Sequence, residues 1–287
     1  MNSFTKLVKR TIKDVSRHVN FTRSVTFNNK RFKVPVVHNI GLSNFAIEDD
    51  DWFFQLVKSL KMPEGSSFID VGVNVGQSLI AFRSYRDNPY YGFEPSPHCA
   101  FYLNKLIKMN DLRDVHLLPI GLSSSAEILK FYCKTGADSS ATMMGDLRPG
   151  HYRPEDVSYV PVFPFDDLAL NNISDISFIK IDVEGAELEV LTGLKKTLAK
   201  YNPVITCEVL DCHRAETNLQ VLQERASKLV ELVKSLNYTI YRINTEKGLN
   251  FDKIEEIILK QYDSQSQYLN DYLFLPSTRK IEELLMR

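Results

Sequence analysis

From Ser67 onward the chain alternates β-prone runs with helical ones: SFIDVG, QSLIAFRSYR, YYGFEP, PHCAFYLNKLIKMN and VHLLPIGL. That rhythm confines it to a parallel sheet covered by helices. Between Ser125 and Leu168 the rhythm breaks: EILKFYC and VSYVPVFPF flank a segment rich in Ser, Thr, Gly and Pro, which predicts an inserted hairpin with a long loop. It resumes with the strand SFIKIDV, the helix AELEVLTGLKKTLAK, the strand PVITCEVL, a long helix through LQERASKLVELVKSL, and the strands YTIYRIN and DYLFLPS. The short connection between the last two has no clear crossover helix, so the final pair is expected to be antiparallel.

The part before this alternation reads differently. Residues 1–20 place Phe4, Leu7, Val8, Ile12, Val15 and Val19 near helical spacing among lysines and arginines, which predicts a basic amphipathic helix packed on its own domain or on a second copy in a homodimer. SVTFNNKRFKVPVV reads as a hairpin turning at Asn28-Asn29, and Glu48 to Leu60 reads as a helix. The expected division is an extension over residues 1–62 and a main domain over 63–287, with the insertion at about 125–168.

Charge excludes some classes of function. A net charge of −1 over 287 residues gives no general attraction to nucleic acid or anionic membrane. No apolar run approaches the ~20 residues of a membrane span, and no secretory-type segment opens the sequence, so a cytoplasmic protein is expected. Cys207, Cys212 and His213 lack a matching second ligand pair, and structural zinc is not expected.

FIDVGVNVGQSLIAF, residues 68–82, is a strand, a glycine turn and a helix. Gly72 and Gly76 let a ligand approach main-chain N–H groups, and Asn74 suits a left-handed backbone while offering an amide. Glu94 ends the next strand before Pro95, where a carboxylate can accept hydrogen bonds from both hydroxyls of an adenosine ribose. In Gly72-Val73-Asn74-Val75-Gly76 the middle glycine of a dinucleotide turn is replaced by Asn74, which obstructs a pyrophosphate. S-adenosylmethionine therefore fits better than NAD or FAD.

FIDVGVNVGQSLIAF, YYGFEPSP, VHLLPIGLSS, FDDL at 165–168 and FIKIDVEGAELEVLTGL together resemble the FkbM family of S-adenosylmethionine-dependent methyltransferases. The resemblance spans roughly residues 65–210. It implies a Rossmann-like class I methyltransferase fold: a seven-stranded, mostly parallel α/β sheet with an antiparallel C-terminal pair. It also implies O-methylation of a hydroxyl on a sugar, glycan or secondary metabolite, with S-adenosylhomocysteine as product. By motif position, Asp70, Gly72, Asn74 and Gly76 resemble the cofactor loop and Glu94 the ribose ligand, and Ser123 is a further candidate cofactor-binding residue. Val73 stands where the family commonly has alanine, which narrows the loop without removing a ligand.

FIKIDVEG places Lys180, Asp182 and Glu184 at the end of a strand expected beside the glycine-turn strand, hence on the same crevice. Asp182 is the first candidate for the base that takes the acceptor's proton, with Glu184 and His213 as alternatives and Lys180 orienting the acids. Glu208, Ser139 and Ser140 are candidate substrate-binding residues, the serines within a candidate lid. Magnesium held by Asp182, Glu184, Glu208 and Asp211 is a secondary reading that no spacing compels. An NAD-type dehydrogenase and a noncatalytic binding or scaffold protein of the same fold remain the alternatives.

Overall fold

Asn28 and Asn29 take left-handed φ values of 45° and 59°, as a two-residue hairpin turn requires. They join β1 (Phe21–Phe27) to β2 (Lys30–Val36) as the expected antiparallel pair. The structure, a computed structural model, describes residues 19–48, 51–134, 141–147, 154–170, 172–210, 219–245, 248–260 and 270–285. Of the helix expected over residues 1–20, residues 1–18 lie outside the described residues, as do Asp211, His213, Ser139 and Ser140. Among the described residues no helix is long and apolar enough to cross a membrane.

After the hairpin, α1 (Trp52–Ser59) starts at Asp51, whose side chain accepts a hydrogen bond from the Phe53 N–H at 2.9 Å. The alternation then runs β3 (Ser67–Val71), α2 (Gln77–Tyr85), β4 (Tyr90–Phe93), α3 (Pro97–Met109) and β5 (Val115–Leu118). Past Pro119 a two-residue strand, β6 (Gly121–Leu122), leaves this sheet and pairs with the insertion, where β7 (Glu127–Cys133) and β8 (Asp156–Phe163) form the expected hairpin. β9 (Ile176–Ile181) returns to the main sheet.

The helix expected after β9 is two helices, α4 (Glu187–Gly193) and α5 (Lys195–Tyr201). Gly193 marks the break: a Cβ there would overlap the Ser123 carbonyl oxygen, so the helix runs against that backbone and restarts. Next come β10 (Val204–Glu208), α6 (Leu219–Ser235), β11 (Tyr238–Asn244), β12 (Asn250–Ile254), β13 (Asp271–Pro276) and a short α7 (Ile281–Leu284). The main sheet has the order β12-β11-β13-β10-β9-β3-β4-β5. Five strands from β5 to β10 are parallel, and β13 inserts antiparallel between β10 and β11. The seven expected strands are all there, and β12 adds an eighth at the edge.

Strand alternation divides the core. Ile69, Val71, Ile179, Ile181 and Ile205 pack with Val190, Leu198 and Leu229 from α4, α5 and α6. Phe68, Phe178, Val204 and Leu273 join Phe53, Leu79 and Tyr102 from α1, α2 and α3, together with Phe32 and Val34 of the hairpin. Each such side chain, fully buried, contributes about 1.5–3 kcal/mol. Asp70, Lys180 and Thr206 share the parity of this second set and lie in one cross-strand row. One step nearer the strand ends, Glu208 pairs with Asp271. Toward their C-terminal ends the strands thus exchange apolar side chains for charged ones on the face that carries α1 and α2.

Candidate active site

A cleft of about 1240 Å³ opens at those strand ends. Gly72, Asn74, Glu94, Lys180, Asp182, Glu184 and Glu208 all line it. Open α/β sheets bind ligands at this position, beyond the carboxyl ends of the strands.

On one side stands Glu94. Its two carboxylate oxygens accept hydrogen bonds from the Asn74 and Ser96 N–H groups at 2.7 and 2.8 Å, which fixes the side chain from both flanks. Asn74 reaches this geometry with a left-handed φ of 51°. A carboxylate has about four lone-pair sites, so after two backbone bonds acceptor capacity remains for a ligand in the cleft. Burial pushes the Glu94 carboxyl up to about 7, against the opposing pull of the two backbone donors.

The other side is a network of side chains. Lys180 Nζ lies 2.9 Å from Asp182 Oδ2 and 3.8 Å from Asp70 Oδ1. Burial opposes the ammonium charge, but Asp182, Asp70 and Glu208 outweigh it and hold Lys180 above its ordinary value. Glu208 is raised well above the carboxylate range, first by Asp182 and then by burial, and it shares a hydrogen bond with Asp182. Asp271 is pushed up to about 7, mainly by burial and next by Asp182. Glu208 thus hydrogen-bonds Asp182 from one side while Lys180 holds it from the other. Glu184 has a left-handed φ of 58°, and its carbonyl accepts a hydrogen bond from Thr142 Oγ1 at 2.8 Å. Non-glycine residues seldom take that conformation, and here the insertion fastens it.

Two expected cofactor ligands move behind the cleft. Asp70 is fully buried and does not line it; its carboxylate meets Ser78, the Tyr90 hydroxyl at 2.5 Å and Lys180. It is a buried brace for Lys180, with burial raising its own pKa. Ser123 is also buried and away from the cleft, its N–H on the Phe163 carbonyl at 3.0 Å. The glycine turn needs a correction too. The N–H groups of Gly72 and Gly76 bond the Phe93 and Val73 carbonyls, both at 2.9 Å, and that of Asn74 bonds Glu94. They are not available to cradle an anion. Gly72, at φ 86°, is required because a Cβ would overlap the Asp182 carbonyl, so glycine there lets β3 and β9 end side by side. Gly76, at φ 81°, starts α2 against Leu103 and Leu106.

One of the cleft's remaining walls was not foreseen from the sequence: Arg23 of β1 and the turn from His38 to Phe45 form one side. Phe131, Ala141 and Met143 form another, the last two from the inserted loop read as a candidate lid. Asn44, fully buried, anchors the turn: its amide donates to the Val75 carbonyl at 2.8 Å and to the Tyr102 hydroxyl at 3.0 Å. The only local hint was the run HNIGLSN, turn chemistry with a polar residue no turn requires. Among the described residues no group of three His, Cys, Asp or Glu side chains is arranged to hold a metal ion.

This strand order is that of a Rossmann-like class I methyltransferase fold, with charged residues gathered where such folds bind ligands. The methyltransferase FkbM domain matches residues 70–243, more than half of the chain, and the chain belongs to the FkbM methyltransferase family. It is 30% identical over 161 residues to Methyltransferase sdnD of Sordaria araneosa, a match covering 46% of this chain and 62% of that protein. It is 25% identical over 150 residues to Methyltransferase 1 of Beauveria bassiana, covering 46% and 59% respectively. The chain thus spans less than two thirds of the length of these curated relatives. The crystal structure of Methyltransferase FkbM from Methylobacillus flagellatus KT overlaps 75% of this chain and 44% of that one, at 16% identity and a TM-score of 0.44.

Proposed function

We propose that this chain is an S-adenosylmethionine-dependent O-methyltransferase acting on a hydroxyl of a sugar, glycan or hydroxylated secondary metabolite. The observation that carries the cofactor is Glu94: a buried acid held by two backbone donors at a strand end, with acceptor capacity left toward the cleft. A ribose diol matches it, each hydrogen bond to a charged group being worth about 1.5–3 kcal/mol. The turn argues against a dinucleotide, since its donors at Gly72, Asn74 and Gly76 are already engaged within the protein and leave a pyrophosphate unsupported. Residues 1–62 are read as an extension that completes the cleft of the 63–287 domain, supported by Arg23 and the turn at His38–Phe45 in its wall.

When bound, the cofactor supplies a methyl group already activated on a sulfonium sulfur. The protein's tasks are alignment and proton removal, of which orientation alone can contribute about 7–11 kcal/mol. Asp182, partly open to the cleft and held by Lys180, is the group to accept the acceptor hydroxyl's proton as the oxygen takes the methyl. Glu208 hydrogen-bonds Asp182 and helps fix its position. Incubation with S-adenosylmethionine carrying a labelled methyl group and a panel of glycosides and polyols tests this reading. Label on an acceptor oxygen, with one S-adenosylhomocysteine per transfer, is expected; label on nitrogen or carbon contradicts it.

A further inference from the structure

Arg23 stands on the inner face of the N-terminal hairpin. It shares strand parity with Val25 and Phe27, and its cross-strand partner is Val34, all three of which pack into the core. Arg23 lies nearer the start of the strand, where that core gives way to the cleft, and its side chain is exposed. The guanidinium rests on the ring of Phe45, with Cζ 5.5 Å from the ring centroid, and both residues line the cleft. Such stacking holds a cation in place without neutralising it. Among the described residues no carboxylate forms an ion pair with Arg23.

This wall is tied to the glycine turn. Asn44 donates to the Val75 carbonyl at 2.8 Å and Gln77 Nε2 to the Ser43 carbonyl at 3.3 Å, so the residues just before Phe45 are clamped to the turn whose Asn74 N–H holds Glu94. A ligand with its ribose on Glu94 therefore has the Arg23 wall within the same cleft.

The cofactor proposed above ends in an amino acid, and its carboxylate needs a partner. The turn does not supply one, because the N–H groups of Gly72, Asn74 and Gly76 are already engaged. Among the described residues lining the cleft, the basic side chains are Arg23, His38 and Lys180. Lys180 is committed to Asp182 and Asp70. Of the other two, the planar fork of arginine presents parallel donors to both oxygens of a carboxylate, which an imidazole does not.

We propose that Arg23 binds the α-carboxylate of S-adenosylmethionine, which makes the hairpin before the main domain part of the cofactor site. This rests on the cofactor reading above and deepens it. Glu94 then takes the ribose and Arg23 the amino-acid end.

Calorimetric titration of the wild type, Arg23→Gln and Arg23→Lys tests the assignment with two probes. S-adenosylhomocysteine carries the carboxylate; 5′-methylthioadenosine keeps the ribose and lacks the amino acid. In Arg23→Gln, S-adenosylhomocysteine is expected to bind at least about tenfold more weakly, with 5′-methylthioadenosine unchanged. Arg23→Lys keeps the charge and loses the fork, and should weaken S-adenosylhomocysteine about threefold. Unchanged S-adenosylhomocysteine binding in Arg23→Gln overturns the proposal. Equal weakening of both probes overturns it too, because the loss then lies elsewhere than at the carboxylate. Should the wild type bind neither probe, the cofactor reading falls and the proposal with it; should it bind both and Arg23→Gln alter neither, the Arg23 assignment alone falls. Thermal melting checks the fold of each variant. If Arg23→Gln does not fold, Arg23→Lys decides, and wild-type affinity for S-adenosylhomocysteine in that variant overturns the assignment.

Discussion

The two sides of the cleft hold acids by opposite means. Glu94 is fixed by backbone N–H groups from Asn74 and Ser96, whose positions follow from the turn after β3 and the start of α3. Asp182, Glu208 and Asp271 are fixed by one another and by Lys180, side chains from three strands on a buried face. Backbone donors hold an acid without adding charge to the site, which suits the proposed role of Glu94 in receiving ribose hydroxyls. Mutual contact among acids, in which Asp182 and burial raise Glu208 and Asp271, gathers carboxyls of unequal proton affinity at one strand end, which suits the proposed proton removal.

This contrast can be broken from either side. The largest expected effect is on Asp182→Asn, which removes the proposed proton acceptor: kcat should fall about 100- to 10,000-fold with cofactor affinity unchanged, read by methyl-transfer rates beside calorimetry. Lys180→Met should cost stability as well as rate, by about 3–5 kcal/mol, because it leaves Asp70 and Asp182 without their counter-charge; urea unfolding measures this. Gly72→Ala should destabilise by about 1–3 kcal/mol, since a side chain there meets the Asp182 carbonyl at a left-handed φ, and the same unfolding experiment reads it.

The smallest effect is that of pH. A Glu94 carboxyl raised to about 7 is protonated below that value and then accepts ribose hydroxyls poorly. Cofactor affinity should fall by up to about tenfold per pH unit below 7 and be flat in Glu94→Gln. Without ligand the sign reverses for the fold itself. Glu94, Glu187 and Asp271 all sit near 7 when folded, so the folded chain holds protons that the unfolded chain has released. Stability should therefore decline as pH rises from the ordinary carboxyl range toward 7, as thermal melting across that window would show.

The place of Glu94 in the cleft wall and the strand order were legible because their signals are local: a glycine turn, an acid before Pro95, and apolar runs of strand length. Asp70 was not placed correctly because its strand is buried on both faces, and alternation does not say which face meets the cleft. Ser123 was misplaced for a related reason, since only the approach of Gly193 shows its backbone turned toward α4. The acid cluster was half legible. Lys180 and Asp182 stand together in FIKIDVEG, but Asp271 joins them only through antiparallel pairing of β13, with 62 residues of chain between Glu208 and Asp271. The wall from His38 to Phe45 depends on one buried amide, Asn44, which no periodicity marks.

The central claim is that Glu94 holds the ribose of an adenosyl cofactor. Titrating the wild-type protein and Glu94→Ala with S-adenosylmethionine, S-adenosylhomocysteine and NAD tests it most directly. Binding of both adenosyl ligands to the wild type, weakened about 100-fold or more in Glu94→Ala, with no binding of NAD, is the predicted result. Adenosyl binding unchanged by Glu94→Ala, or binding of NAD alone, would contradict it.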